Sequence, residues 1–272
     1  MLYLFALNLS FTRQMITSEY FREYRNKLGF SNQAKTKSFF SARDIVPTID
    51  YNYIDSLNAR LTEIVKKIDE LVSIEIQLHH FESFCNENIT KVFKTLRANE
   101  IIPKLNNQGR RPEEVYFSWM RGFVIAKYFS TALGKIFSVD TEDIDFIGDD
   151  DFNNIEAFRR TPKADLQINR RNGERIRIEV QSGFQGINDI KQHKVLEAGK
   201  IKLEENTSTI VIHFDLFNGQ VAFVQIDEIE DNNVNWITRQ QMEGQTVFNI
   251  DQNYFRWKLT EKPPLYDELF AE

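Results

Sequence analysis

The chain has 272 residues, a formal net charge of −6 at neutral pH, 42% apolar and 27% charged residues, and one cysteine. That length allows one large domain, or a catalytic domain with a helical appendage. The single Cys85 excludes an internal disulfide and fits a reducing cytoplasm, and no apolar run approaches the ~18 residues that span a bilayer, so no membrane partner is expected.

In chain order, Met1 to Phe11 is apolar but lacks a leading charge and a small-residue cleavage site, and residues 1–14 read as a peripheral extension. From Asp55 to Leu78, Leu57, Leu61, Ile64, Val65, Ile68, Leu71 and Val72 recur at three- and four-residue steps, which predicts one helix with one buried face. A second helical pattern runs from Phe81 to Leu96, and the loop 106–109 follows Pro103. His79, His80 and Cys85 show no ligand spacing and read as structural. Arg111-Pro112-Glu113-Glu114 opens a helix towards Leu133, with proline in the first turn and acids where the helix dipole favours them.

The period then changes. Strands are predicted at Ile136–Val139, Ile144–Ile147, Ala164–Ile168 and Ile176–Val180, the last two joined by an Asn172-Gly173 hairpin signal. A polar helix follows from Ile187 to about Leu203, then strands Thr209–Phe214 and Val221–Ile226; the tail around Pro263-Pro264 reads as peripheral. The order implies an α+β protein, a mixed central sheet flanked by helices, with a mainly helical region over 1–108 and a second unit over 109–272.

Charge is segregated along this order. Residues 13–43 hold seven Lys/Arg against two Glu, and residues 158–202 hold eleven against five acids. Residues 140–157 carry eight acids and no Lys or Arg, and residues 204–231 carry seven and none. The acidic total argues against non-specific coating of nucleic acid; the segregation suits either a basic cleft facing phosphates or simply a two-faced surface.

One constellation suggests chemistry. Residues two apart on a strand share a face, so Glu179 and Gln181 project together while Val180 turns into the core. An antiparallel partner brings Asp165 beside them. Two carboxylates held together repel unless a cation intervenes, and oxygen ligands favour a hard divalent ion. A surface hairpin with alternating polar residues accounts for the same spacing. No Walker A loop, Gly-x-Ser-x-Gly elbow or His/Cys ligand pattern is present, which removes NTPases, serine esterases and zinc hydrolases.

Pro162-x-x-Asp165, thirteen intervening residues, then Glu179-x-Gln181 resembles the PD-(D/E)XK nuclease motif, in the Glu-x-Gln form carried by some type II restriction endonucleases. Proline precedes Asp165 by three positions instead of one, and Gln181 stands where lysine is usual. The resemblance covers about residues 111–227. It implies a restriction-endonuclease-like core and Mg²⁺, with Mn²⁺ as substitute, held by Asp165, Glu179 and the Val180 carbonyl. Gln181 would orient the attacking water, with Lys163 or Lys194 as auxiliary cations and Glu113 or Glu114 in a supporting contact. Arg110, Arg111, Lys191, His193 and Lys194 would face DNA. The implied activity is sequence-specific, Mg²⁺-dependent cleavage of double-stranded DNA by a cytoplasmic homodimer with a separately encoded companion methyltransferase. Two alternatives stay open: a repair or recombination nuclease with the same core, and a non-catalytic DNA-binding protein whose nuclease core has decayed. Base-reading residues are open among Asn32 to Arg43, Arg110-Arg111 and the region 236–257.

Overall fold

The first long helix starts where Asp50 offers its carboxylate to the Tyr53 amide at 3.0 Å, the usual work of an acidic N-cap. The computed structural model describes residues 17–30, 32–42, 44–105, 110–148, 164–170, 172–230, 234–240 and 244–270. Residues 1–14, Lys163 and the loop 106–109 lie outside them. Two short N-terminal helices, α1 (Ser18–Leu28) and α2 (Gln33–Phe40), bury no residue. Helix α3 (Tyr51–Asp69) buries Ile54, Leu61 and Val65 along one face. It stops well short of Leu78 because Asp69 takes the Leu78 amide at 2.8 Å and the Tyr128 hydroxyl at 2.7 Å, folding the chain back under the helix end.

The pattern from Phe81 to Leu96 is helical but not uniform. Helix α4 (Phe81–Cys85) passes through a π-turn (Asn86–Lys91) into α5 (Val92–Ala98), and α6 (Ile101–Lys104) follows. Helix α7 (Pro112–Tyr128) opens on proline, as the sequence predicts. The strand expected at Ile136–Val139 is instead the end of α8 (Ser130–Phe137). Ala132, Leu133, Ile136 and Phe137 are all buried, a helical spacing that the short apolar run conceals.

The main sheet has six strands: β1 (Ile144–Phe146), β2 (Leu166–Asn169), β3 (Arg175–Gly183), β5 (Ser208–Asp215), β6 (Gln220–Gln225) and β9 (Phe255–Lys258), in the order β1-β2-β3-β5-β6-β9. Only β3 and β5 are parallel. Their crossover holds β4 (Asp189–Lys191) and helix α9 (Gln192–Glu205), so the helix begins later than Ile187. Strand β4 joins β8 (Gln245–Asn249) and β7 (Ile237–Arg239) in a second, three-stranded sheet.

Alternation divides the large sheet between two cores. Ile176, Ile178, Ile210, Ile212 and Phe214 pack with α3 to α8, in one cluster that runs from Ile54 to Leu269 through both 1–108 and 109–272. Val211, Ala222 and Val224 face the other way, against Val195 and Ala198 of α9 and Ile190 and Phe248 of the small sheet. The result is a mixed sheet between helices. The tail is not peripheral: Leu269 of α10 (Tyr266–Leu269) is buried, and Tyr266 packs on Phe137 with ring centroids 5.2 Å apart. No described helix is long and apolar enough to cross a membrane.

Candidate functional site at one end of the large sheet

Strand register brings Asp165 to Glu179. In the β2–β3 hairpin Leu166 pairs with Ile178, so one step further along the ladder Asp165 stands across from Glu179. Both ends of Asp165 are fixed. Its carbonyl accepts the Ile147 and Gly148 amides at 3.1 and 3.2 Å, and its Oδ2 accepts the Val180 amide at 2.7 Å. Gly148 permits this approach, since a Cβ there would lie 3.2 Å from the Asp165 Cα. Because the N–H and C=O of one strand residue point the same way, the Val180 carbonyl is turned towards the Asp165 side of β3. The Val180 side chain packs against the larger core, as its alternation with Glu179 and Gln181 predicts.

Glu179 is 9% exposed, and its partner is Lys194 from the first turn of α9, whose ammonium contacts Glu179 Oε1. Burial pushes that ammonium below the ordinary lysine value, against the pull of Asp165 and Glu197. Lys194 is therefore held against the carboxylate pair, where a cation is electrostatically required. Gln181 is half-buried on the same strand face. Among the described residues nothing hydrogen-bonds its amide, which leaves the amide available to an incoming molecule.

Behind Gln181 lies a residue that sequence reasoning missed. His213 is its register neighbour on β5, 3% exposed, with Nε2 2.7 Å from Asn188 Oδ1. With Asn188 Oδ1 accepting, Nε2 carries the proton, and the buried Nδ1 has no partner among the described residues. Burial holds the imidazole below its ordinary value, outweighing Asp215 and Asp189. A Cβ at Gly183 would sit 3.0 Å from His213 Nε2, so this glycine makes room for the histidine. Gly186 has φ +70° and serves the turn into β4. The signal for His213 was a lone histidine inside an otherwise apolar, fully buried strand.

The other predicted residues lie elsewhere or are already engaged. Glu113 is buried and accepts the Asp50 amide at 2.9 Å and the Arg111 guanidinium at 3.2 Å. Burial alone would raise its carboxyl, but those two donors hold it below the ordinary glutamate value. Glu114, Arg110 and His193 are exposed, and Lys191 is half-buried in β4. The basic residues of α9 do not form an open stripe. Lys202 bonds Ser208 Oγ at 2.8 Å, Lys200 pairs with Glu204, and Lys194 turns inward to Glu179.

Among the described residues, no group of three or more His, Cys, Asp or Glu side chains is placed to hold a metal ion. The site instead offers two carboxylates and a backbone carbonyl, all of them oxygen donors, beside one ammonium. No protein-family model matches the sequence, and no match was found among curated proteins or solved structures.

Proposed function

We propose that this chain is a Mg²⁺-dependent endonuclease that hydrolyses phosphodiester bonds in double-stranded DNA, of the type II restriction kind. The observation that carries the reading is the joining of Asp165 to the Glu179-x-Gln181 strand through the Val180 amide, at a sheet end, with an ammonium against Glu179. The order of elements agrees with a restriction-endonuclease-like core: a helix, an antiparallel hairpin bearing the carboxylates, and a parallel crossover through α9. A restriction role carries with it a homodimer on palindromic sites and a separate methyltransferase.

The donor set suits a hard divalent ion. It holds oxygen ligands alone, since Asn188 ties back His213, the imidazole beside them. Asp165, Glu179 and the Val180 carbonyl would hold the ion. Lys194 offsets the charge of Glu179, and a divalent ion would add the positive charge that a phosphodiester brings its own negative charge to meet. The bound ion supplies an acidified water and neutralises charge on the phosphate. The chain's own groups do the rest. The Gln181 amide orients the attacking water, and Lys194 donates hydrogen bonds to phosphoryl oxygens as charge builds on them. A P–O bond forms from water, the ester P–O bond breaks, and the leaving oxygen takes up a proton.

The test is plasmid cleavage, with sequencing of the ends. Wild type cuts with Mg²⁺ or Mn²⁺, while Ca²⁺ supports binding without cutting. Asp165→Ala and Glu179→Ala bind DNA but do not cut. Cleavage that persists in excess EDTA, or in either variant, overturns the assignment. Specific binding with no cleavage under any divalent ion selects the decayed-core alternative.

A further inference from the structure

Helix α7 carries an arginine without the counter-charge its environment calls for. Phe117 and Arg121 are one turn apart, and the Arg121 guanidinium lies 5.7 Å from the Phe117 ring centroid and 4.7 Å from that of Phe184. Phe184 is 44% exposed and stands three residues beyond Gln181, in the loop that leaves the candidate site. Arg121 is thus a half-buried cation between two aromatic faces. Several other arginines here are paired with acids: Arg111 with Glu113, Arg170 with Glu174 and Asp267, Arg177 with Glu205, Arg239 with Asp189. Among the described residues, no carboxylate pairs with Arg121.

The charged neighbour that acts on Arg121 is a second cation. Burial, and then the Arg110 guanidinium, hold Arg121 below the ordinary arginine value. A half-buried cation that no carboxylate among the described residues pairs with is relieved by an anion. Guanidinium forks match the oxygens of a phosphate, and stacking on rings pre-orients the fork without occupying its donors. Three residues of chain span at most about 10 Å. At 3.4 Å of rise per nucleotide in one strand, and with the intervening side chains adding roughly another 10 Å to that span, Arg121 stays within about six nucleotides of a phosphate bound at Gln181.

We infer that Arg121, stacked between Phe117 and Phe184 and assisted by Arg110, is a phosphate clamp that grips a non-scissile phosphodiester of the same DNA duplex beside the candidate site. This rests on the reading of the chain as a DNA enzyme and adds a binding residue to it. The clamp positions the backbone and reads no base, so its loss weakens binding to all sequences alike.

The experiment is duplex binding by fluorescence anisotropy in EDTA over a range of salt concentrations, which requires no catalysis. Arg121→Met keeps an unbranched chain between the rings and removes the charge; Arg110→Ala changes an exposed residue and leaves packing untouched. Each is expected to weaken binding by roughly 10-fold and to lower the slope of log affinity against log salt by about one, with the melting temperature near wild type. Arg121→Lys should keep the slope while losing part of the affinity. An unchanged slope in both charge-removing variants overturns the clamp, as does binding of inorganic phosphate alone with no affinity for duplex DNA. The two readings separate cleanly. A wild type that binds DNA with the expected slope losses but never cuts retains the clamp and loses the nuclease. A wild type that cuts, with slopes unchanged in Arg121→Met and Arg110→Ala, loses the clamp alone.

Discussion

Replacing Lys194 with methionine tests whether the carboxylate pair depends on a cation. Methionine retains most of the aliphatic stem, so the change removes charge more than volume. Without the ammonium, Glu179 loses its cation beside Asp165. Removing one partner of a fully buried ion pair costs about 3–5 kcal/mol. Here the Lys194 side chain is 26% exposed and that of Glu179 11%; screening by water brings the expected loss to about 2–3 kcal/mol. For a chain of this size that lowers the melting temperature by on the order of 5 °C. A divalent ion should then do more for the variant than for wild type, because it meets Glu179 without its ammonium. An ion at ~100 times its dissociation constant returns about 2.7 kcal/mol. The assay is urea or thermal unfolding of wild type, Lys194→Met, Glu179→Gln and the double variant, each in EDTA and in Mg²⁺. Adding Glu179→Gln should cut the Lys194→Met penalty to below about 1 kcal/mol. A Lys194→Met protein within about 0.5 kcal/mol of wild type in EDTA, or one with the same Mg²⁺ response as wild type, refutes the reasoning.

Three further outcomes follow from the same geometry. Gly183→Ala puts a Cβ 3.0 Å from His213 Nε2 and 3.3 Å from Asn188 Oδ1, against a buried imidazole held by that amide, and should cost about 1–3 kcal/mol in urea unfolding; His213→Ala should recover part of that loss. Because burial depresses His213 in the folded state, the unfolded chain takes up its proton first. Stability is therefore full above the unfolded value of about 6.5 and is lost as pH falls from there towards the folded value. Urea midpoints at pH 7.5 and 5.5 should show this loss diminished in His213→Gln, and equal pH slopes in the two proteins would contradict it. Gln181→Lys should slow single-turnover plasmid cleavage by about 10²-fold or more, and a rate at or above wild type would show that the amide is not needed.

The parts of the fold legible in the sequence were those specified locally. The face of α3 and the proline start of α7 follow from spacing and capping within a few residues. So does the β2–β3 hairpin, through Asn172-Gly173. What escaped was decided by distant partners. Strand β4 is three residues with polar ends, and it is a strand because Ile190 pairs with Phe248 far along the chain. Helix α3 ends early because Asp69 meets Tyr128, and the Pro263-Pro264 tail is held by Phe137 and Arg170. The same division holds at the site. Period-two spacing puts Glu179 and Gln181 on one face, and hairpin register brings Asp165 up to them. Nothing local distinguishes Lys194 from Lys191 or Lys200. Only the docking of α9 on the Val211 face, through Val195 and Ala198, selects which lysine reaches Glu179.

That docking bears on why position 181 carries an amide. Gln181 shares the strand face of Glu179, and Lys194 reaches Glu179 from α9. A lysine at both places would set two ammoniums beside Glu179 and Asp165 and weaken their attraction for a divalent ion. A lysine at neither would leave Glu179 without its cation whenever the ion is absent. One cation from the helix and one neutral hydrogen-bonding group from the strand avoid both extremes. For a nuclease, Glu179 would then be compensated without metal, and the carboxylates would still attract an ion. On the nuclease reading, the departure from the usual lysine at position 181 and the inward turn of Lys194 are one electrostatic arrangement. Exchanging the two side chains, as Gln181→Lys with Lys194→Gln, should therefore recover more cleavage than Gln181→Lys alone.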